Sequence, residues 1–306
     1  GLHAAEITEN IRRAAELDLI MAKARFAHSI RAAVPAVIKP EGIDLRSGYL
    51  KLVEARHPLL GSKAVPFSVE LGNDYEILVV TGPNTGGKTV TLKTIGLLAL
   101  MTQTGIPIPA APESHLPIFD DVFADIGDEQ SIEQTLSTFS WHMGNINRII
   151  RKVSSRSLVL LDELGTSTDP VEGSALARAI LRYFQRHGTM SVVTSHFSDL
   201  KAYAQSTEGM KNASLEFDPV TLQPTYRLAI GIPGGSNAIA TAARLGLPQE
   251  IIDDARGLTP EGGQTLDRLL TSLNEEKQKL ENLSVQADRE RRELQKRNEE
   301  IAREIQ

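Results

Sequence analysis

The stretch Gly82-Pro83-Asn84-Thr85-Gly86-Gly87-Lys88-Thr89 satisfies the pattern G-x-x-x-x-G-K-[ST] and constrains the fold more than any other part of the chain. It follows Tyr75 to Thr81, a short β-branched run, and opens Lys88 to Met101, a helical stretch. Strand, glycine-rich loop and helix in that order form the context a phosphate-binding loop requires. Gly82, Gly86 and Gly87 let backbone N–H groups turn inward as an anion nest that side chains would obstruct. Lys88 offers a compact positive charge to the β- and γ-phosphates. Thr89 offers a hydroxyl to Mg²⁺ where the helix N-terminus faces the phosphates. The expected ligands are ATP and Mg²⁺.

Around the loop, strands and helices alternate. The apolar run Ser157 to Leu161 ends in Asp162 and Glu163, helix-like residues fill 172–187, and a further strand covers Met190 to Thr194. That alternation predicts an α/β fold with a parallel sheet and crossover helices. Ala213 to Phe217 and Thr225 to Leu228, separated by Asp218-Pro219, predict an added antiparallel hairpin. Paired with the loop, Asp162 is expected near the Mg²⁺ shell, and Glu163 is expected to orient and deprotonate an attacking water. His196 follows the strand end at Thr194-Ser195, at the edge of an open sheet that faces the nucleotide. It reads either as a γ-phosphate sensor or as a loop residue. Ser137-Thr138-Phe139-Ser140 precedes a helix running to Val153; the hydroxyls suit helix capping, and the same geometry binds phosphate oxygens.

The outer regions differ in texture. Residues 1–45 carry Ile11, Ala14, Leu17, Ile20, Met21 and Ala24 at helical spacing until Pro35 and Pro40 intervene. Residues 46–230 hold the alternating domain. Residues 231–260 open on Gly231, Pro233, Gly234 and Gly235, and continue as two short amphipathic helices, Asn237 to Leu245 and Pro248 to Gly257, joined at Gly246 in a helix-turn-helix shape. In residues 261–306, Leu266, Leu273, Leu280, Ala287, Leu294 and Ile301 recur every seventh position. Glu276, Glu290 and Arg297 spoil the companion seam, leaving a solvated long helix or a weak coiled coil.

Composition removes several classes. Without cysteine there is no disulfide framework and no Cys-ligated zinc. No apolar run approaches the ~20 residues that span a bilayer, so no membrane partner is expected. The net charge of -6 argues against a generic DNA-coating protein. The basic group Arg148, Arg151, Lys152 and Arg156 reads as a solvated helix end. The opening residues resemble no signal peptide and include no initiator Met, which predicts a fragment of a longer cytoplasmic protein.

Taken together, the residues resemble the ATPase domain of the MutS family, over most of the chain. The loop 82–89 carries Pro and Asn after its first glycine as that family does. Asp162-Glu163-Leu164-Gly165-Thr166-Ser167-Thr168-Asp169-Pro170 resembles its second motif, and Ser137-Thr138-Phe139 its signature. Arg56-His57-Pro58 and the segment Gly231 to Gly257 resemble its ATPase edge and its dimerisation segment. Asp125-Ile126-Gly127-Asp128-Glu129-Gln130-Ser131-Ile132-Glu133-Gln134 and Thr168 to Gly173 are more similar to the second bacterial branch, which suppresses recombination, than to the mismatch-repair branch.

The resemblance implies a P-loop NTPase of the ABC/MutS type that works as a homodimer. Ser137 would contact the γ-phosphate across the dimer, Gln130 would couple the metal to the neighbouring domain, and His57 would lie near the adenine. It also implies DNA partners such as branched or recombination intermediates, with collided ribosomes as a further partner. The lever, the clamp and a C-terminal Smr nuclease domain would lie outside this chain, and so would any endonuclease activity. The alternative reading is a nucleotide-dependent dimerisation switch with negligible turnover.

Overall fold

A computed structural model describes residues 3–38, 48–83, 86–127, 138–218, 223–234 and 238–258. The chain divides into two compact units, 1–234 and 235–306.

The first unit is built on a six-stranded sheet of order β10-β9-β4-β8-β7-β6, formed by β4 (Tyr75–Thr81), β6 (Asp121–Asp125), β7 (Ser157–Leu161), β8 (Met190–Ser195), β9 (Gly209–Phe217) and β10 (Pro224–Ile230). β9, β4, β8, β7 and β6 run parallel, and β10 pairs antiparallel with β9. Every residue of β7 and β8 is buried, as expected for strands covered on both faces. Alternate residues supply two separate cores. Leu78, Val80, Leu158, Leu160 and Val192 point to one face and pack with Leu92, Ile95 and Leu98 of α2 (Lys88–Gln103). Ile77, Val79, Val159, Leu161 and Val193 point to the other. There they meet α3 (Thr138–Ile150), α4 (Pro170–Arg186) and α5 (Ser198–Ser206). Asp169 caps α4: its Oδ1 accepts the N–H groups of Val171 and Glu172 at 2.9 and 3.1 Å, and Pro170 opens the helix.

The first core is shared with a second sheet, of order β1-β5-β2-β3, formed by β1 (Ala36–Ile38), β2 (Leu50–Ala55), β3 (Phe67–Leu71) and β5 (His115–Pro117). The sequence reading had no place for this sheet. Two of its strands, β1 and β5, are three residues long and pair positions far apart in the chain, Ala36 with His115, so no local periodicity marks them. Residues 1–45 are accordingly not helix alone. α1 (Ala4–Ser29) ends before Pro35, and β1 follows.

The hairpin expected near Asp218-Pro219 is present as β9 and β10 and extends beyond the predicted residues at both outer ends. α1 buries none of its residues, and Ile11 and Ile20 are 65% and 62% exposed. The helix is supported by its own ion pairs, with Arg12 bridging Glu9 and Glu16, and by Lys23 Nζ donating to the Thr104 carbonyl at 2.7 Å.

In the second unit, α6 (Ala238–Arg244) and α7 (Gln249–Leu258) pack together around a turn at Gly246, whose φ is +89°. Ile252 of α7 is buried. The heptad-spaced segment 261–306 lies outside the described residues.

Candidate active site

The carboxyl ends of β4, β7 and β8 meet at one edge of the large sheet, the crevice where open α/β folds bind ligands. β4 delivers the glycine-rich loop. Gly82 (φ +126°) and Gly87 (φ +94°) hold left-handed backbone that glycine accepts readily, and Gly87 turns the chain into α2. Asn84 and Thr85 lie outside the described residues. Lys88 is buried, its Nζ donates to the Gly82 carbonyl, and the same nitrogen stands 3.3 Å from His196 Nε2. Burial pulls the Lys88 pKa down to about 8, against the opposing pull of the Glu163 and Asp162 charges.

β7 delivers Asp162 and Glu163. Both Asp162 oxygens are engaged: Oδ2 accepts the Thr89 hydroxyl at 2.6 Å, and Oδ1 accepts the Thr194 hydroxyl at 2.5 Å. The Thr194 oxygen in turn accepts the Glu163 N–H at 2.8 Å. One hydroxyl at the end of β8 therefore registers both acids of β7. Glu163 sits in the left-handed region, at φ +51°, an uncommon state for a side-chain-bearing residue. The turn holds it there through its carbonyl, which accepts the Thr166 N–H at 3.1 Å and hydroxyl at 2.8 Å. Glu163 Oε1 stands 3.6 Å from His196 Nε2. Burial, and then the Lys88 charge, lower the His196 pKa, while Glu163 opposes them.

The loop's other flank opens into a cavity of about 380 Å³, within the range that holds small ligands, lined by Gly86, Gly87, Val90, Thr91, Phe67, Tyr226 and His57 among others. A β-carbon at Gly87 would stand 3.1 Å from the Tyr226 ring, so that ring lies directly against the loop. Tyr226 (φ +59°) belongs to a register shift of β10 between Pro224 and Leu228. His57 Nδ1 accepts the Leu59 N–H at 3.3 Å, which leaves the proton of the neutral ring on Nε2. Burial, with Lys93 second, lowers its pKa.

Behind the loop, Gly234 donates its N–H to Thr81 Oγ1 at 2.7 Å, and its carbonyl accepts Lys201 Nζ at 2.6 Å. Both Thr81 and Lys201 are buried.

The arrangement fits a nucleotide with its metal. A hydroxyl and a carboxylate within 2.6 Å of each other are the hard oxygen donors Mg²⁺ prefers, and a buried lysine beside a glycine nest suits phosphate oxygens. The family description MutS domain V matches residues 78–261, which span the loop, the acids and His196. The chain belongs to the MutS family. Among curated relatives, an "Endonuclease MutS2" of Thermomicrobium roseum is 51% identical over 284 residues, covering 91% of this chain and 36% of that protein. Another, of Halothermothrix orenii, is 48% identical over 298 residues, covering 97% of this chain and 37% of its own length. A third, of Halalkalibacterium halodurans, is 53% identical over 274 residues, covering 89% and 34%. The chain thus falls in the MutS2 branch of the MutS family and spans about a third of the length of these relatives.

The structure brings Lys88, Thr89, Asp162, Glu163 and His196 together, and it lines the neighbouring cavity with His57, Gly86 and Gly87. Gln130 and Ser137 lie outside the described residues. Sequence reasoning missed Thr194, Lys201 and Tyr226. The available signal was polarity out of place: the ends of the buried strands β4 and β8 carry Thr81, Thr194 and Ser195 where the strands are otherwise largely apolar.

Proposed function

We propose that this chain is the ATP-binding and ATP-hydrolysing module of a MutS-like DNA-processing protein, working as a homodimer in the cytoplasm. The observation that carries the reading is the continuous run of hydrogen bonds from Thr89 through Asp162 and Thr194 to Glu163, at the mouth of the loop. In it, Thr89 and Asp162 would hold Mg²⁺, which when bound supplies charge neutralisation at the phosphates. Gly82 to Thr89 cradles the phosphates, and Lys88 neutralises charge on the β- and γ-phosphates. Glu163 orients a water and takes its proton as the water attacks the γ-phosphorus and the bond to the β,γ-bridging oxygen breaks, releasing ADP. His196, within reach of both Lys88 and Glu163, senses the γ-phosphate. The cavity beside Gly87 takes the adenine, against Tyr226 and His57.

In the same reading the site is shared. Ser137 of a second copy reaches the γ-phosphate, Gln130 couples the metal to the neighbouring domain, and the paired helices α6 and α7 serve dimerisation. ATP binding closes the two copies and hydrolysis reopens them. Through parts of the longer relatives that these residues do not span, the cycle grips branched or recombining DNA and suppresses recombination. A stalled or collided ribosome is a further partner. The endonuclease activity in the relatives' name is assigned to those other parts.

The test is mass in solution with and without ATP and Mg²⁺, for the wild type and for Glu163→Gln. The expected result is an ATP-dependent dimer that accumulates in Glu163→Gln, which binds ATP without releasing phosphate. A wild type that stays monomeric under both conditions removes the shared site. Equal phosphate release by the two proteins, with dimerisation intact, converts the enzyme into a nucleotide-dependent dimerisation switch.

A further inference from the structure

β6 is the outer parallel strand of the large sheet, and it ends on Asp125. The Asp125 carbonyl accepts the Asp162 N–H at 2.8 Å, so the backbones of the two acids are locked side by side. The Asp125 side chain is 2% exposed, and both of its oxygens are committed. Oδ2 lies 2.8 Å from His142 Nδ1, and Oδ1 accepts Asn145 Nδ2 at 2.7 Å. An ionised carboxylate only accepts hydrogen bonds, so His142 carries a proton on Nδ1. His142 and Asn145 stand three positions apart on α3 and present one helix face to the strand. One turn further on, Ile146 and Ile149 enter the second core. A carboxylate this deeply buried has no water to replace a lost donor, so helix and strand must shift together or leave the charge unpaired.

We propose that Asp125 is a positioning residue that clasps α3 to the metal-binding strand, so that a change at Asp162 is transmitted to the helix following Ser137. The inference rests on the reading of Asp162 as a metal ligand and of Ser137 as a contact to the partner copy's nucleotide. The displacement passes from Asp162 to Asp125 through the backbone bond, and from Asp125 to α3 through its two side-chain bonds. In this reading Asp125, His142 and Asn145 do not touch the nucleotide. The clasp governs turnover and closure, while the loop and the cavity govern binding.

The chain carries its own reporter. Trp141, its one tryptophan, meets the His142 ring edge-on, with centroids 5.1 Å apart and planes at 80°. The experiment follows Trp141 emission during titration with ATP, with Mg²⁺ and with EDTA, while calorimetry measures nucleotide affinity separately. It compares the wild type with Asp125→Asn, whose amide turns a donor toward one of the two helix donors, and with His142→Phe, which keeps a ring but loses the bond.

In the wild type, emission is expected to change with ATP and Mg²⁺ and not with ATP and EDTA. In both variants that response is expected to fall by about half or more and kcat by about tenfold, with KM and affinity within about threefold of wild type. Variants that bind the nucleotide with a full Trp141 response and wild-type kcat overturn the proposal. So does a wild type that binds ATP and Mg²⁺ without any response. A melting temperature that drops with affinity and turnover in parallel reduces the clasp to a structural contact. A response that is present in the wild type and lost in the variants, from a protein that stays monomeric, keeps the clasp and removes the shared site.

Discussion

At the end of the site to which we assign the phosphates, Thr89, Asp162, Thr194 and Glu163 hold one another through polar contacts of 2.5 to 2.8 Å, whereas the cavity to which we assign the base is bounded by Val65, Phe67, Val90 and the ring of Tyr226. The first is an arrangement of directions, in which the Thr194 hydroxyl donates to one acid and accepts from the backbone of the other. The second is a shape, and an apolar wall tolerates small displacements that a hydrogen-bonded carboxylate does not. Errors at the phosphate end are therefore expected to appear in kcat, and errors at the base end in KM.

The sharpest way to break that division is Glu163→Gln, which keeps the shape and removes the proposed base. A general base contributes about 100-fold or more, so phosphate release is expected to fall by at least that factor while nucleotide affinity holds. Next is Thr194→Val, which keeps the branched outline of Thr194 and removes the hydroxyl between Asp162 and Glu163. Hydrogen bonds to charged groups contribute about 1.5–3 kcal/mol, so kcat is expected to drop about 10- to 100-fold, with recovery in Thr194→Ser. Should Thr194→Val alter KM alone, the phosphate end is not a directional device.

Tyr226→Ala probes the other side. Loss of an aromatic contact worth about 0.5–1.5 kcal/mol is expected to raise KM about two- to tenfold and leave kcat unchanged. The smallest effect is in proton balance. With the Lys88 pKa near 8, ATP phosphates favour its charged form, so binding at about pH 8.5 takes up protons and binding at about pH 7 takes up almost none. Calorimetry in two buffers of different ionisation heat measures this. Folding has the opposite sign: charging Lys88 penalises the folded state, and that penalty fades as pH rises from about 8 toward the ordinary lysine value of 10.5.

How much of this was legible beforehand follows from how local each signal is. The strand, loop and helix around Gly82 to Thr89 are written in consecutive residues, because glycine backbone and a terminal lysine leave few substitutes. Asp162 and Glu163 were legible because an apolar strand ending in two acids, common by itself, gains meaning when paired with such a loop. Thr194 was not, since a threonine in a β-branched run reads as strand filler. Only the pairing of Val193 with Leu161 across β7 and β8 brings its hydroxyl to Asp162. Tyr226 was hidden for a related reason: its ring reaches Gly87 through a register shift in β10 that no residue type announces. The small sheet was invisible because β1 and β5 are too short to show a period. α1 shows the converse. Its apolar spacing gave the helix correctly, yet Ile11 and Ile20 remain exposed, because periodicity reports a face without saying what lies against it.

Gly234 gives one of these contacts a mechanical meaning. It is the last residue of the first compact unit, and both of its backbone polar groups are taken, one by Thr81 and one by Lys201. A β-carbon there would come within 3.1 Å of the Gly82 backbone. The chain that continues past Gly234 therefore departs from a clamped point on the root of the phosphate loop. A load applied at Gly234 is divided between the Thr81 hydroxyl, at the root of the loop, and the Lys201 side chain of α5, beside the second core.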